Sequence, residues 1–232
     1  MTHHGFIPSV FADLAAFTGL PEAVCRERAY RSGSLHAHAW RFWDPKTRAE
    51  AEWFSRTTTA YIFTLCRREP FAILSTVDLH DLTVLDIGAG IGTDCLYAAQ
   101  RGAMAWHLDA NHWNTEFARF RHEKHLDEMG GTMHFGVYPM HFDVVIARDV
   151  IEHIPDYPEW LRGVVLPQVA MGGHLVWSAP FCRSHVDDNV GLHVNQTEPV
   201  SEILKGAGFE QRHAVPMPPH EGDTQHDYVR AR

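Results

Sequence analysis

The chain has 232 residues, 45% of them apolar and 21% charged, and a net charge of −9 with its histidines neutral. That is the composition of a globular domain with a modest extension, and it carries no clustered excess of Lys and Arg for nucleic acid and no apolar run near the roughly 18 residues of a membrane span. Cys25, Cys66, Cys95 and Cys182 lie too far apart for a disulfide framework or a cysteine zinc site, the N-terminus lacks a basic leader, and a cytoplasmic enzyme is the expected class.

Residues 1–79 read as a helical cap. PEAVCRERAYR is a short helix opened by Pro21. WDPKTRAEAEWFSRTTTAYIFTLCRREP starts the clearest helix: Asp44 is placed as N-cap, Pro45 suits the first helical position and Pro70 marks a stop. Phe54, Tyr61, Ile62 and Leu65 recur at helical spacing and form an apolar stripe. With Trp40, Phe42, Trp43 and Trp53 the segment carries a high aromatic load, of which the residues on the stripe, Phe54 and Tyr61, suit a core more than a substrate cage.

From residue 80 to 232 short strands alternate with helices. TVLDI, AMAWHLDA, TMHFGV, FDVVIARD and GGHLVWSAP read as buried strands, the last entered through a glycine turn. GTDCLYAAQRG, WNTEFARFRHEKHLDEM and PEWLRGVVLPQV read as the helices between them. Such alternation implies parallel βαβ units with both sheet faces covered. After the helix of VSEILKGAGF come EQRHAV and HDYVRAR with no helix between them, which predicts an antiparallel pair.

The turn after the first strand carries chemistry. Gly88, Gly90 and Gly92 form G-x-G-x-G, whereas the dinucleotide fingerprint requires G-x-G-x-x-G, and Thr93 stands at its third glycine. Asp86 precedes the turn, where a carboxylate would repel a pyrophosphate and attract an ammonium group. Asp109 ends the second strand, placed to accept hydrogen bonds from ribose hydroxyls.

LDIGAGIG, Asp109 and FDVVIARDVIEHI together resemble the class I S-adenosylmethionine-dependent methyltransferases. The resemblance implies an α/β fold with a seven-stranded, mostly parallel sheet and an antiparallel C-terminal hairpin, preceded by the helical cap. It implies S-adenosylmethionine as cofactor, held by Asp86, Gly88, Ala89, Gly90 and Gly92, then by Asp109, Ala110 and Asn111. Arg148, Asp149 and Val150 would line the site near the methyl group, and Tyr61 and Arg56 would contact the cofactor's carboxylate or close over it. The chain departs from the family after the third strand: Met133 to Asp143 contains no carboxylate for adenine, which leaves backbone groups or Val137, Tyr138 and Met140.

Methyl transfer from a sulfonium is an in-line displacement that needs alignment and a dry site, with a general base only when the acceptor must lose a proton. His153, in DVIEHI, and His185 and His193, in the loop FCRSHVDDNVGLHVNQTEP after the fifth strand, are the candidate catalytic residues. The same loop holds Asp187 and Asp188; the set could ligate a divalent metal, but its spacing matches no fixed motif and no metal is expected. SAPF, Ser178 to Phe181, resembles the N/D-P-P-Y/F signature of amide-type methyltransferases but follows the fifth strand, whereas that signature follows the fourth. A small-molecule acceptor is the expectation, with no nucleic-acid or membrane partner. The alternatives are methylation of tRNA or protein, and a non-catalytic module that binds S-adenosylmethionine or S-adenosylhomocysteine.

Overall fold

The computed structural model describes residues 9–31, 46–179, 181, 194, 196–216 and 224–231. Their seven strands form one sheet, β1 (Thr83–Ile87), β2 (Met104–Leu108), β3 (Thr132–Phe135), β4 (Phe142–Arg148), β5 (Val169–Ser178), β6 (Phe209–Pro216) and β7 (Thr224–Arg230), in the order β3-β2-β1-β4-β5-β7-β6. The first five pair in parallel, while β7 runs antiparallel to both β5 and β6, as the helix-free ending predicts.

Apolar alternation along the central strands feeds two cores. Leu85, Ile87, Val145, Ala147, Leu175 and Trp177 pack with the helix after β4 on one face. Val84, Val144, Ile146 and Val176 pack on the other with Cys95, Leu96 and Ala99 of α5 (Thr93–Gln100). Because side chains alternate with period two, a strand buried on both faces reads as the continuous apolar runs seen in the sequence. Phe71, Ile73, Leu74, Val77 and Leu79 belong to that second core, so the end of the cap segment is built into the sheet domain.

The cap contributes α1 (Val10–Thr18), α2 (Glu22–Tyr30), α3 (Arg48–Thr57) and α4 (Ala60–Leu65). Asp44 and Pro45 lie outside the described residues, and the helix begins later than they predict. Thr47 caps it: its side chain accepts from Glu50 N, and the Glu50 carboxylate accepts from Thr47 N in return. The helix also ends early. Thr58 is extended (ψ 134), and the run Thr57-Thr58-Thr59 divides the predicted single helix into α3 and α4. Three successive β-branched residues weaken helix propagation, and the break turns α4 onto the sheet domain.

One further difference lies in β5, which starts at Val169 and runs through Gly172 and Gly173 instead of beginning after them. A Cβ at Gly173 would lie 2.9 Å from the Asp143 carbonyl oxygen, and the β4–β5 register shifts between Phe142 and Val144. The glycine pair is therefore a bulge inside the strand, where only a bare Cα allows the two backbones to meet.

The cap is fastened by a buried ion cluster. Asp13 of α1 accepts from Arg121 Nε (3.3 Å), Lys124 Nζ (2.8 Å) and His125 Nε2 (2.8 Å), on or just beyond α6 (His112–Lys124). Around it Phe11, Leu14, Cys25, Ile62 and Cys66 of the cap share a core with Ile91 and Phe117 of the sheet domain.

Candidate active site

The turn between β1 and α5 (Thr93–Gln100) lies at the carboxyl end of the parallel strands, where open α/β sheets bind ligands. Gly88 and Gly90 have φ of +70° and +55°, a region that L side chains rarely enter. A Cβ at Gly88 would collide with Val150 Cγ2, and one at Gly90 would come within 2.9 Å of Leu65 on the cap. Their bare backbone leaves a cradle that any side chain would fill.

β2 grips this turn from both sides. Gly90 N donates to Asp109 Oδ2 (2.8 Å), while the Gly90 carbonyl lies 2.8 Å from His107 Nε2. Asp109 Oδ1 also accepts from Asn111 N (2.7 Å) and Asn114 Nδ2 (3.3 Å). An ionised carboxylate has about four acceptor sites, so three protein donors orient Asp109 and still leave capacity for a hydroxyl.

Asn111 is 4% exposed and joins two parts of the molecule. Its Oδ1 caps α6, accepting from Trp113 N and Asn114 N, and its Nδ2 donates to Ser55 O (2.7 Å) and Thr58 O (3.0 Å). The carbonyls freed where α3 ends are thus satisfied by the residue that starts α6, which holds the cap beside Asp109.

Asp86 is 2% exposed and accepts from Cys95 Sγ at 3.6 Å. Burial first, and then the neighbouring Asp94, holds its carboxyl well above the ordinary range. A cationic ligand group would offset both effects. Asp94 itself accepts from Phe71 N (2.6 Å) and lies 3.5 Å from Arg148 NH1, which also donates to Glu69 O (2.8 Å). Arg148 therefore fastens the chain entering the sheet domain to α5. Asp149 has φ of +53°; its Oδ1 accepts from Ser178 Oγ (2.7 Å) and its Oδ2 meets Arg68 NH2 at 3.0 Å.

These groups line one cavity of about 590 Å³, within the range of roughly 300–1,000 Å³ usual for small-molecule pockets. The residues expected to hold the methionine part, the ribose and the methyl end of the cofactor border it, except Gly92, which caps α5 with φ of +73°. Tyr61 and Arg56 are there too, and burial pushes the Tyr61 hydroxyl above its ordinary pKa. His153 lies at the same cavity, its side chain 41% exposed and its Nε2 3.8 Å from Glu152 Oε1.

His185, Asp187, Asp188 and His193 lie outside the described residues, as do Trp40, Phe42 and Trp43. Among the described residues no cluster of His, Cys, Asp or Glu could hold a metal ion. Val137, Tyr138 and Met140 are exposed and do not line the cavity. Sequence reasoning passed over Arg48, Glu52, Ser55, Arg68 and Asp94, which do. Thr47-Arg48-Ala49-Glu50 is a capping-box pattern that would have located the start of α3, and with it Arg48, Glu52 and Ser55.

Comparison with known proteins agrees with this geometry. A methyltransferase-domain family model matches residues 60–210, more than half of the chain. Ubiquinone biosynthesis O-methyltransferase of Yersinia pestis is 31% identical over 109 residues, 43% of this chain and 43% of that protein, and its Yersinia pseudotuberculosis counterpart matches equally. The match thus spans less than half the length of these curated relatives. Among solved structures, magnesium protoporphyrin IX methyltransferase from Synechocystis with bound S-adenosylhomocysteine is 18% identical, with a TM-score of 0.55 over 68% of this chain and 78% of that one. An S-adenosylmethionine-dependent methyltransferase from Methanosarcina mazei is 16% identical, with a TM-score of 0.57 over 71% and 99% of the two chains. At these identities the structural likeness is one of fold.

Proposed function

This chain belongs to the S-adenosylmethionine-dependent methyltransferase-domain family, and from that premise we propose that it transfers a methyl group from S-adenosylmethionine to a small-molecule acceptor. The observation that carries the reading is the shared cavity: the glycine turn, Asp86 and Asp109 border it on the sheet side, while Ser55, Arg56 and His153 border it beside them. The residues fit the cofactor. The bare turn would receive its methionine part, Asp86 would pair with the ammonium and Asp109 would take the ribose hydroxyls. When bound, the cofactor supplies an activated methyl group on a sulfonium, open to in-line displacement.

The chain's own part is to align and to exclude water. Tyr61, Leu65 and Arg68, on or just after α4, close the cavity from the cap, while Val150 and Pro155 border the space on the β4 side. Where the acceptor nucleophile is a hydroxyl, His153 takes its proton, and Glu152 at 3.8 Å steadies the imidazolium. His185 and His193 remain candidates for the same duty on the loop after β5. Among the described residues no helix is long and apolar enough to cross a membrane.

The test is a methyl-transfer assay with S-adenosylmethionine and a panel of small phenols, amines, thiols and carboxylic acids, read as S-adenosylhomocysteine formed. Turnover on members of the panel, strongly reduced by His153→Gln, is the expected result. Tight cofactor binding with no turnover on any small acceptor would overturn it. Turnover on tRNA or protein instead, weakened by salt, would point to a macromolecular acceptor.

A further inference from the structure

The two walls of the cavity carry opposite charge. On the sheet side Asp86, Asp94, Asp109, Asp149 and Glu152 stand against Arg148. On the cap side Arg48, Arg56 and Arg68 stand against Glu52. In a chain of net charge −9, three guanidinium groups gathered on one wall run against composition.

The three arginines have different surroundings. Arg48 is fixed, its Nε donating to Glu52 Oε1 (2.7 Å) and its NH2 to the His153 carbonyl (2.6 Å). Arg68 stands by the cofactor residues: it pairs with Asp149 at 3.0 Å and interacts electrostatically with Tyr61. Arg56 reaches Glu52 Oε2 only at 3.8 Å, and its side chain is 62% exposed. Glu52 is thus shared between two arginines, so that on the α3 face of the cavity two guanidinium groups stand against one carboxylate. A bound S-adenosylmethionine would bring one carboxylate, which Arg68, beside Tyr61 and Asp149, would meet in place of the Arg56 expected from the sequence.

We propose that the acceptor carries an anionic group, a carboxylate or a phosphate ester, bound by Arg56 beside the fixed Arg48. The inference rests on the proposed function and narrows its substrate class. Physical chemistry favours it on two counts. A guanidinium presents a planar fork of donors that matches a carboxylate or phosphate in two parallel hydrogen bonds, and such charge-assisted bonds are about twice as strong as neutral ones. An exposed ion pair such as Arg56–Glu52 contributes little by itself, so exchanging it for a ligand's anion costs little. With its anion on α3, the acceptor would lie beside His153, whose carbonyl holds Arg48 in place.

The experiment uses the full chain saturated with S-adenosylhomocysteine, after calorimetry has shown that this product binds. Four probes are titrated: 4-hydroxybenzoate and phenyl phosphate as anions, 4-hydroxybenzamide and phenol as neutral counterparts. At least one anion is expected to bind about tenfold tighter than its neutral counterpart, and comparing the two anions separates a carboxylate site from a phosphate site. Arg56→Gln is expected to abolish the preference while lowering S-adenosylhomocysteine affinity less than Arg68→Gln does, and Arg56→Lys to restore part of it. Arg68→Gln is expected to do the reverse, weakening S-adenosylhomocysteine while keeping the anion preference. Equal binding of neutral and anionic probes, a preference that survives Arg56→Gln, or no binding by any probe would each overturn the inference and leave the cofactor reading standing. Failure to bind S-adenosylhomocysteine at all would remove both.

Discussion

On the sheet side of the cavity the functional groups are held by backbone: Asp109 is oriented by two main-chain N–H groups and one side-chain amide, and the glycine turn is gripped between Asp109 and His107. On the cap side Arg56 and Arg68 are held by side-chain pairs and stand 62% and 39% exposed. The first wall is pre-organised for one ligand. The second is carried on short helices whose position depends on two fastenings, the Asp13 cluster and Asn111. The sheet wall, proposed to bind the donor, should therefore tolerate little change, whereas the exposed arginines of the cap wall can be altered without dismantling the fold.

The largest effect should come from breaking the cap's anchor. Asp13→Asn leaves Arg121 buried without its counter-charge, and such removal costs about 3–5 kcal/mol; chemical denaturation should show it, with the cap residues losing hydrogen-exchange protection first. Bonds from Lys124 and His125 outweigh burial and hold Asp13 below its ordinary value. A depressed carboxyl contributes stability that is present above its unfolded pKa and lost as pH falls through the folded one, so acid should release the wild-type cap while leaving the Asn variant unchanged.

Gly88→Ala strikes the other wall. A Cβ there collides with Val150 in a backbone conformation that costs alanine about 1–3 kcal/mol. S-adenosylhomocysteine affinity should fall by at least about tenfold, with a lower melting temperature. Wild-type affinity in this variant would mean that the turn does not cradle the ligand.

Asp86 sharpens the comparison through pH. Its folded pKa is raised, chiefly by burial, so its contribution to stability is present below the ordinary carboxylate pKa and lost as pH rises through the folded value. Pairing with an ammonium requires the opposite, the proton gone. Calorimetry should therefore show S-adenosylhomocysteine binding tighten with rising pH below about pH 8, where an α-amino group stays charged, by at most about tenfold per pH unit. The slope should vanish in Asp86→Asn.

Asn111→Ala should have the smallest effect. It removes a helix cap, worth about 1 kcal/mol, and strands the Ser55 and Thr58 carbonyls. The fold should survive, while the assay with a small acceptor shows a rise in acceptor KM larger than the loss in cofactor affinity. A change confined to cofactor affinity would place Asn111 with the donor wall alone.

The sequence was legible where local chemistry and topology coincide. The strand–turn–helix at Val84 to Asp94 and the acid closing β2 are read from consecutive residues, and the helix-free ending forecast the antiparallel hairpin that the sheet contains. Reading failed where long-range contacts decide. Arg48 and Arg68 are ordinary cap residues until α3 and α4 are docked, and the break at Thr57–Thr59 that docks them was hidden inside one apolar stripe. Asp94 stands in the first turn of α5, but its partners Phe71 N and Arg148 are 23 and 54 positions away. Gly172 and Gly173 looked like a turn because a bulge and a turn both need bare Cα positions, and only the pairing with β4 distinguishes them.

The central claim is that the sheet wall, organised around Asp109, binds the cofactor. Calorimetric titration of S-adenosylhomocysteine into wild type and Asp109→Ala tests it most directly. Saturable binding by the wild type, weakened in the variant by about 2 kcal/mol or more for the loss of charged hydrogen bonds, is the predicted result. No binding by the wild type, or equal binding by both proteins, would contradict the account.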